Sequence, residues 1–286
     1  MSLEEALLRW CQQQTRSGIR PVIGLNGPVG AGKSTLARSL QQRFADADLQ
    51  LAVASIDDAY LPWPQRQVAM AGNPYGVNRV PPGSHDPEAL LGNRVPPGSH
   101  DPEALLGGIR HWRGAAERML ELPRFDKTLR DGQGDRVAPW RGPADALLLE
   151  GWMLACCPLP DLHPASEVLQ ERFSAPELAW LLRCNQSLEA YQPLWQELDQ
   201  LVMLWPSSWR WPRRWRFQAE ARQRRTGGGW MPANDLEQLV QATLQSLPPD
   251  LYQRPVLARA NSVRVLDQRR RCVWEGSGEA ALVRWA

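Results

Sequence analysis

Five short apolar runs are spaced along the chain: Pro21–Asn26, Leu51–Ser55, Ala146–Leu149, Leu201–Leu204 and Val263–Leu266. Each is bounded by polar or turn residues, and stretches with helical spacing lie between them. Short apolar runs alternating with helices predict an α/β fold: a parallel sheet of about five strands with helices on both faces. In such sheets ligands sit beyond the carboxyl ends of the strands, so the residues just after each run carry the most information. Ahead of the first run, Ser2-Leu3-Glu4-Glu5 has the pattern of a capping box. Leu3, Ala6, Leu7, Trp10 and Cys11 follow at helical spacing. Residues 1–17 are therefore expected to form an amphipathic helix packed on one larger domain, residues 18–286.

Two segments interrupt this alternation. Asn78–Gly92 (NRVPPGSHDPEALLG) is repeated without change as Asn93–Gly107. A tandem copy that occurs once is not a solenoid, so it reads as a duplication. One copy is expected to occupy the site while the other bulges as an insert, which loop entropy tolerates. Asp before Pro is a strong helix start. The second copy is expected to run on through Ile109 toward Leu120, and it is therefore the favoured one. The other segment, 205–232, interleaves Trp205, Trp209, Trp211 and Trp215 with arginines and ends in Gly227-Gly228-Gly229 and beyond. It can be a lid closing on a triphosphate, a solvated helix or a single-strand nucleic-acid surface.

Composition narrows the classes. The net charge of +2 gives no general attraction to nucleic acid or anionic membrane. No stretch approaches the ~18 apolar residues of a membrane span, and the acidic start of the first helix is unlike a targeting peptide. The five cysteines lack C-x-x-C spacing and read as reduced thiols of a cytoplasmic protein.

The chemistry begins with lysine. There are two in the chain, Lys33 and Lys127, and arginine supplies every other basic side chain except histidine. Lys33 lies in Gly27–Ser34 (GPVGAGKS), which satisfies G-x-x-x-x-G-K-[ST], between the first apolar run and a helix carrying Leu36 and Leu40. This is the strand, loop and helix of a P-loop. Gly27, Gly30, Ala31, Gly32, Lys33, Ser34 and Thr35 are the candidate phosphate binders. Backbone N–H groups and the helix dipole cradle the anion, Lys33 reaches the outer phosphates, and the Ser34 hydroxyl faces Mg²⁺. ATP and Mg²⁺ are the cofactors this predicts.

Two acidic sites separate kinases from other P-loop proteins. Asp57 and Asp58 follow the second run, where a carboxylate can accept the proton of an attacking hydroxyl. Asp57 is the favoured base; either residue can instead be an outer Mg²⁺ partner or a helix cap. Glu150 ends the third run, where a carboxylate organises Mg²⁺, and Gly151 after it is expected to leave room for ligand. Pairing of Glu150 to an arginine is the alternative. Arg124, Lys127 and Arg136 are candidate partners for an anionic substrate, or plain surface cations.

These motifs together resemble the P-loop kinases of the phosphoribulokinase and uridine kinase group, and most of all the D-glycerate 3-kinases of plant and cyanobacterial type. The resemblance spans about residues 18–270. It rests on Gly27–Ser34, Ser55–Tyr60 (SIDDAY), Pro82–Asp86 (PGSHD) and its copy Pro97–Asp101, Leu122–Lys127 (LPRFDK) with Gly134–Arg136, Leu148–Met153, Asn185–Tyr191 and Trp215–Glu220. It implies a P-loop NTPase three-layer fold and phosphoryl transfer from ATP to the 3-hydroxyl of D-glycerate. Asp57 matches the base and Glu150 the Mg²⁺-linked acid. Asp58, Tyr60, His100, Asp101, Arg124, Lys127 and Arg136 fall in its substrate motifs, and Arg216, Arg222, Arg224 and Arg225 on its lid. Three features depart from the family pattern: the tandem copy, a Trp- and Arg-rich stretch after Trp205, and Gly227–Gly229 without the expected lysine. Other acceptors (a nucleoside, pantothenate, a sugar phosphate) and a non-enzymatic P-loop switch are the competing readings. No nucleic-acid or membrane partner is expected.

Overall fold

A computed structural model of the chain describes residues 2–87, 108–225 and 231–285. In chain order the elements are α1 (Leu3–Arg16), β1 (Val22–Asn26), α2 (Lys33–Ala45), β2 (Leu51–Ser55), a 3₁₀ turn (Ile56–Ala59) and α3 (Trp63–Ala69). Then come α4 (Gly108–Gly114), β3 (Met119–Asp126), β4 (Asp135–Pro143), β5 (Ala146–Gly151), α5 (Glu167–Arg172) and α6 (Ala175–Ser187). A 3₁₀ turn (Leu188–Tyr191) leads to α7 (Gln192–Trp195), β6 (Gln200–Pro206), α8 (Trp211–Arg225), α9 (Ala233–Ser246) and α10 (Pro249–Arg259). The chain closes with β7 (Ser262–Leu266), β8 (Cys272–Gly276) and α11 (Gly278–Trp285).

The central sheet runs β2-β5-β1-β6-β7-β8. The five expected strands are its five parallel members. A sixth, β8, pairs antiparallel with β7 at the edge. It escaped the pattern because most of its residues are exposed, so it carries no apolar run.

Alternation along each strand feeds two cores. Leu147 and Leu149 face one way, with Val22, Met203 and Val263, onto Trp112, Leu181 and Tyr252. Leu148 faces the other way, with Ile23, Leu25, Val202 and Leu204. It meets Leu36, Leu40 and Phe44 of α2, and Leu3, Leu7 and Cys11 of α1. The capping box at Ser2 and Glu5 is formed, and Glu4 joins Arg264 of β7.

Between β2 and β5 the structure departs from expectation. The helix at Gly108 stops at Gly114 instead of reaching Leu120. Leu120 and Leu122 point inward from β3, which forms an antiparallel hairpin with β4. Two leucines two residues apart carry the period of a strand, not a helix. The ladder shifts register between Leu122 and Arg124, around Pro123, which has no N–H to donate.

Register explains why the functional residues meet. Leu25 and Ser55 lie opposite Glu150 on either side of β5, and Asn26 lies opposite Gly151. The carboxyl ends of β1, β2 and β5 are therefore level. The P-loop, the Ile56–Ala59 turn and Glu150 leave the sheet at one place.

Candidate active site

The P-loop needs glycine at two points for separate reasons. Gly32, at φ +98°, starts α2 from a left-handed conformation. Gly30, at φ +75°, lets the loop lie directly against α8: a Cβ there would stand 2.7 Å from the Trp215 carbonyl carbon. Lys33 folds back on its own loop, donating from Nζ to the carbonyl oxygens of Gly27 (2.7 Å) and Pro28 (3.2 Å). Burial lowers the pKa of its ammonium, while Glu150 and Asp57 act to raise it. Ala31 is buried beneath the loop, and Ser34 and Thr35 stand exposed at its mouth.

Ser34 Oγ donates to Glu150 Oε1 at 2.9 Å. Glu150 Oε2 is buried and without a hydrogen-bond partner. A hydroxyl and a carboxylate with an unused oxygen form a hard oxygen pair, which suits Mg²⁺. Two protein oxygens suffice, because that ion keeps waters and takes phosphate oxygens for the rest. The residues present thus fit the metal. Gly151, expected to leave room for ligand, instead leaves room for protein: a Cβ there would stand 2.8 Å from Ile56 Cγ2. Its absence lets the 3₁₀ turn pack on the end of β5.

That turn presents Asp57. Lys127, just past β3, donates to Asp57 Oδ2 at 2.7 Å. Tyr60 donates to Oδ1 at 3.0 Å. Burial pushes the Asp57 carboxyl up, but the Lys127 ammonium and His85 outweigh it and hold the group well below the usual carboxylate range. Asp58 turns the other way. Its Oδ2 accepts from the Ser55 amide at 2.9 Å, completing a capping box in which Ser55 Oγ accepts from the Asp57 amide. It caps the turn, and burial raises its pKa.

His85 belongs to the first repeat copy, not to the second. Its ring stacks on Tyr60 at 4.4 Å. Nδ1 meets the Tyr191 hydroxyl at 3.0 Å, which also accepts from the Gly83 amide. Nε2 is buried, unpartnered, and 3.8 Å from Asp57 Oδ1. Asp86 pairs with Arg136 at 3.6 Å, and its amide donates to the Ala59 carbonyl. His100 and Asp101, the favoured copy, lie outside the described residues, as do Gly227–Gly229. The sequence favours the second copy because a helix is expected to run on from it to Leu120, and that helix stops at Gly114. Only the path from α3 tells them apart: an antiparallel bridge joins Tyr60 to His85.

Arg136 is placed as a brace. It donates from Nε to the Tyr60 carbonyl and from Nη2 to the Ala59 carbonyl. Arg124 is exposed on β3, and its charge acts on Asp58. Of the three candidate substrate cations, Lys127 is the one beside Asp57. On α8, Arg216 pairs with Glu220 at 2.7 Å, and Arg222, Arg224 and Arg225 are exposed toward its end. Arg270, which the sequence did not single out, fastens the β7–β8 turn to this region. It donates to the Gly30 carbonyl at 3.1 Å and to Gln218 Oε1 at 2.8 Å.

No family model matches the chain. A protein of Schizosaccharomyces pombe described as uncharacterized kinase mug58 is 29% identical over 227 residues, covering 76% of each chain. The chloroplastic D-glycerate 3-kinase of Arabidopsis thaliana is 30% identical over 244 residues. The match covers 81% of this chain and 48% of that protein, so the chain spans about half its length. Among solved structures, D-glycerate 3-kinase from Cryptococcus neoformans superposes with a TM-score of 0.74 at 23% identity, covering 97% of this chain and 99% of that one. The YGR205w protein gives 0.68 at 21% identity, covering 95% of each. These two likenesses concern the fold.

Fold and site define a P-loop kinase, a phosphotransferase with an alcohol group as acceptor. Within that class the chain is similar in sequence to a D-glycerate 3-kinase.

Proposed function

We propose that this chain transfers the γ-phosphoryl group of ATP to the 3-hydroxyl of D-glycerate, giving 3-phospho-D-glycerate. The observation that carries this reading is the Lys127–Asp57 pair at the level of the P-loop. It puts a proton acceptor and a cation for a small acid 2.7 Å apart. The likeness in sequence to the Arabidopsis thaliana D-glycerate 3-kinase supports the choice of acceptor.

In this reading Gly27, Gly30, Ala31, Gly32, Lys33, Ser34 and Thr35 hold the phosphates through backbone N–H groups, the α2 dipole and the Lys33 ammonium. Lys33 leaves its loop carbonyls for the outer phosphates. Ser34 and Glu150 hold Mg²⁺, which supplies charge neutralisation on the phosphates when bound. Asp57 takes the proton of the 3-hydroxyl as its oxygen attacks. Tyr60 orients Asp57, and Lys127 meets the substrate carboxylate. Of segment 205–232, Trp205 and Pro206 belong to β6, and helix α8 serves as the lid, with Arg216, Arg222, Arg224 and Arg225 as its cations. Arg136 braces the catalytic turn.

No helix among the described residues is long and apolar enough to cross a membrane. The five cysteines are free thiols, which supports a cytoplasmic setting. The test is Mg²⁺-dependent ADP release with D-glycerate, uridine, pantothenate and ribulose 5-phosphate. D-glycerate should far exceed the rest; strong preference for another acceptor moves the chain elsewhere in the kinase class.

A further inference from the structure

Asp57 is poorly disposed to act as a base in the arrangement described. Lys127 sits on Oδ2 and the Tyr60 hydroxyl on Oδ1. Among the described residues, the charged and titratable groups around it are Lys127 from the end of β3, His85 from the segment after α3, and Tyr60 and Asp58 on its own turn. Lys33 of the P-loop acts on it across the site. A carboxylate held far below its usual range has little affinity for a proton. Some event must therefore relieve it before it can take one from a hydroxyl.

Lys127 is the cation suited to move. About half of its side chain is exposed (53%), and its ion pair among the described residues is with Asp57. Arg136 is tied to two backbone carbonyls and to Asp86. Lys33 is committed to the loop and the phosphates. A flexible ammonium on a long stem also exchanges one carboxylate for another more readily than a planar guanidinium in a fixed fork.

We infer that Lys127 is a brake on Asp57 that the substrate's own carboxylate releases. The incoming acid draws the ammonium from Oδ2, and Asp57 becomes a competent base only when that acid is in place. The inference rests on the reading of Asp57 as base toward an acidic acceptor. With Lys127 drawn aside, the burial of Asp57 acts with less opposition, and its proton affinity rises. The 3-hydroxyl oxygen then bonds to the γ-phosphorus of ATP. The bond from that phosphorus to the β,γ-bridging oxygen breaks, its electron pair leaves with ADP, and the hydroxyl proton passes to Asp57. A neutral polyol with the same terminal hydroxyl leaves the brake on. Selection for an acid is thereby exerted on the chemical step as well as on binding.

Two measurements test this. In the first, kcat/KM for D-glycerate is followed against pH, since its acidic limb reports the free enzyme. In Lys127→Met the limb should move up by about one pH unit or more, while Lys127→Arg, which keeps the charge, should leave it near the wild-type position. A cation that only binds substrate would lower kcat/KM without moving the limb, and an unmoved limb overturns the inference. In the second, the Asp57 carboxyl is titrated by carbon-13 NMR, assigned by its loss in Asp57→Asn, with Mg²⁺ and a non-hydrolysable ATP analogue present. D-lactate, which has the carboxylate but no 3-hydroxyl, should raise the midpoint, and glycerol should not. In Lys127→Met the midpoint should already be high and indifferent to both. No rise with saturating D-lactate in the wild type overturns the inference, whatever the cause. D-lactate has no 3-hydroxyl to phosphorylate, so this arm is separate from the substrate assignment. Turnover of D-glycerate without a D-lactate response sinks the brake and spares the proposed function. A D-lactate response in a protein inert toward D-glycerate does the reverse.

Discussion

Ser34 and Glu150 stand 116 residues apart in the chain and meet at 2.9 Å. The contact follows from topology. β1 and β5 are parallel neighbours in level register, so the first turn of α2 and the last residues of β5 emerge side by side. The second oxygen of Glu150 is buried there without a hydrogen-bond partner. Glu150→Gln keeps the shape and the hydrogen bond but removes the charge that favours a divalent ion. The expected outcome is a rise of about 10- to 100-fold in the Mg²⁺ concentration needed for half-maximal rate, with ATP binding in the absence of metal little changed. An unaltered Mg²⁺ requirement would mean that the pair serves packing alone.

Lys33→Ala should leave the fold intact. The ammonium caps two carbonyls of a loop whose own glycines and helix already define it. Loss of its charge from the phosphates should lower turnover by at least about 10²–10³. Thermal melting and ADP release on the same preparation check both halves, and near-normal turnover would refute the phosphate assignment.

Asp57 and Asp58 are adjacent carboxylates with different partners, and their substitutions should separate cleanly. Asp57→Asn keeps one acceptor oxygen, for Lys127 or for Tyr60, but cannot take a proton, so ATP binding should survive while kcat falls about 10²–10⁴. Asp58→Asn can still accept from Ser55 and should be mild. Asp58→Ala should act on stability, by about 1 kcal/mol for a lost cap. Steady-state kinetics beside denaturant unfolding decide this. A kcat collapse in Asp58→Asn with Asp57→Asn nearly normal reverses the roles.

The strands, the P-loop and the acids after them were legible because each is written in local sequence: a run, a glycine spacing, a charged residue at a strand end. What escaped depends on partners distant in the chain. Leu120 shares a strand period with Leu122 but follows a helix start, so the sequence alone carries the helix on toward it. Gly151 reads as space, and only the structure shows that Ile56 fills it. Arg136 reads as a free cation until the carbonyls of Ala59 and Tyr60 are found beside it. Arg270 gives no local signal at all, since its work is done on Gly30, 240 residues away.

His85 supplies a pH dependence of stability. Burial lowers its pKa, and this outweighs the opposing pull of Asp57. The unfolded chain therefore binds the proton first as pH falls. Stability should be full above the unfolded value of about 6.5 and should decline as pH drops below it, toward the lower folded value. His85→Gln cannot titrate there. Urea unfolding at pH 7.5 and 5.5 should show a smaller loss in the variant than in the wild type; equal losses would show that the His85 ring titrates alike in both states.

The tandem copy gives the last prediction. The two fifteen-residue copies are identical, so deletion of either yields one and the same shorter protein. That protein retains a His-Asp pair on the same path from α3, where the bridge to Tyr60 fixes the first copy. It should fold and be active, because a change of fifteen residues in the length of one connection alters its closure entropy little. Point changes in the full chain then tell the copies apart. His85 stacks on Tyr60 and meets Tyr191, and Asp86 pairs with the arginine that braces the catalytic turn. His85→Ala and Asp86→Ala should therefore impair turnover, whereas His100→Ala and Asp101→Ala should be tolerated. If both sets are tolerated singly, the copies substitute for each other, and only the double change at 85 and 100 will show the loss. Impairment confined to the second copy would mean that the site uses His100, contrary to the arrangement described, and an inactive deletion variant would make both copies necessary.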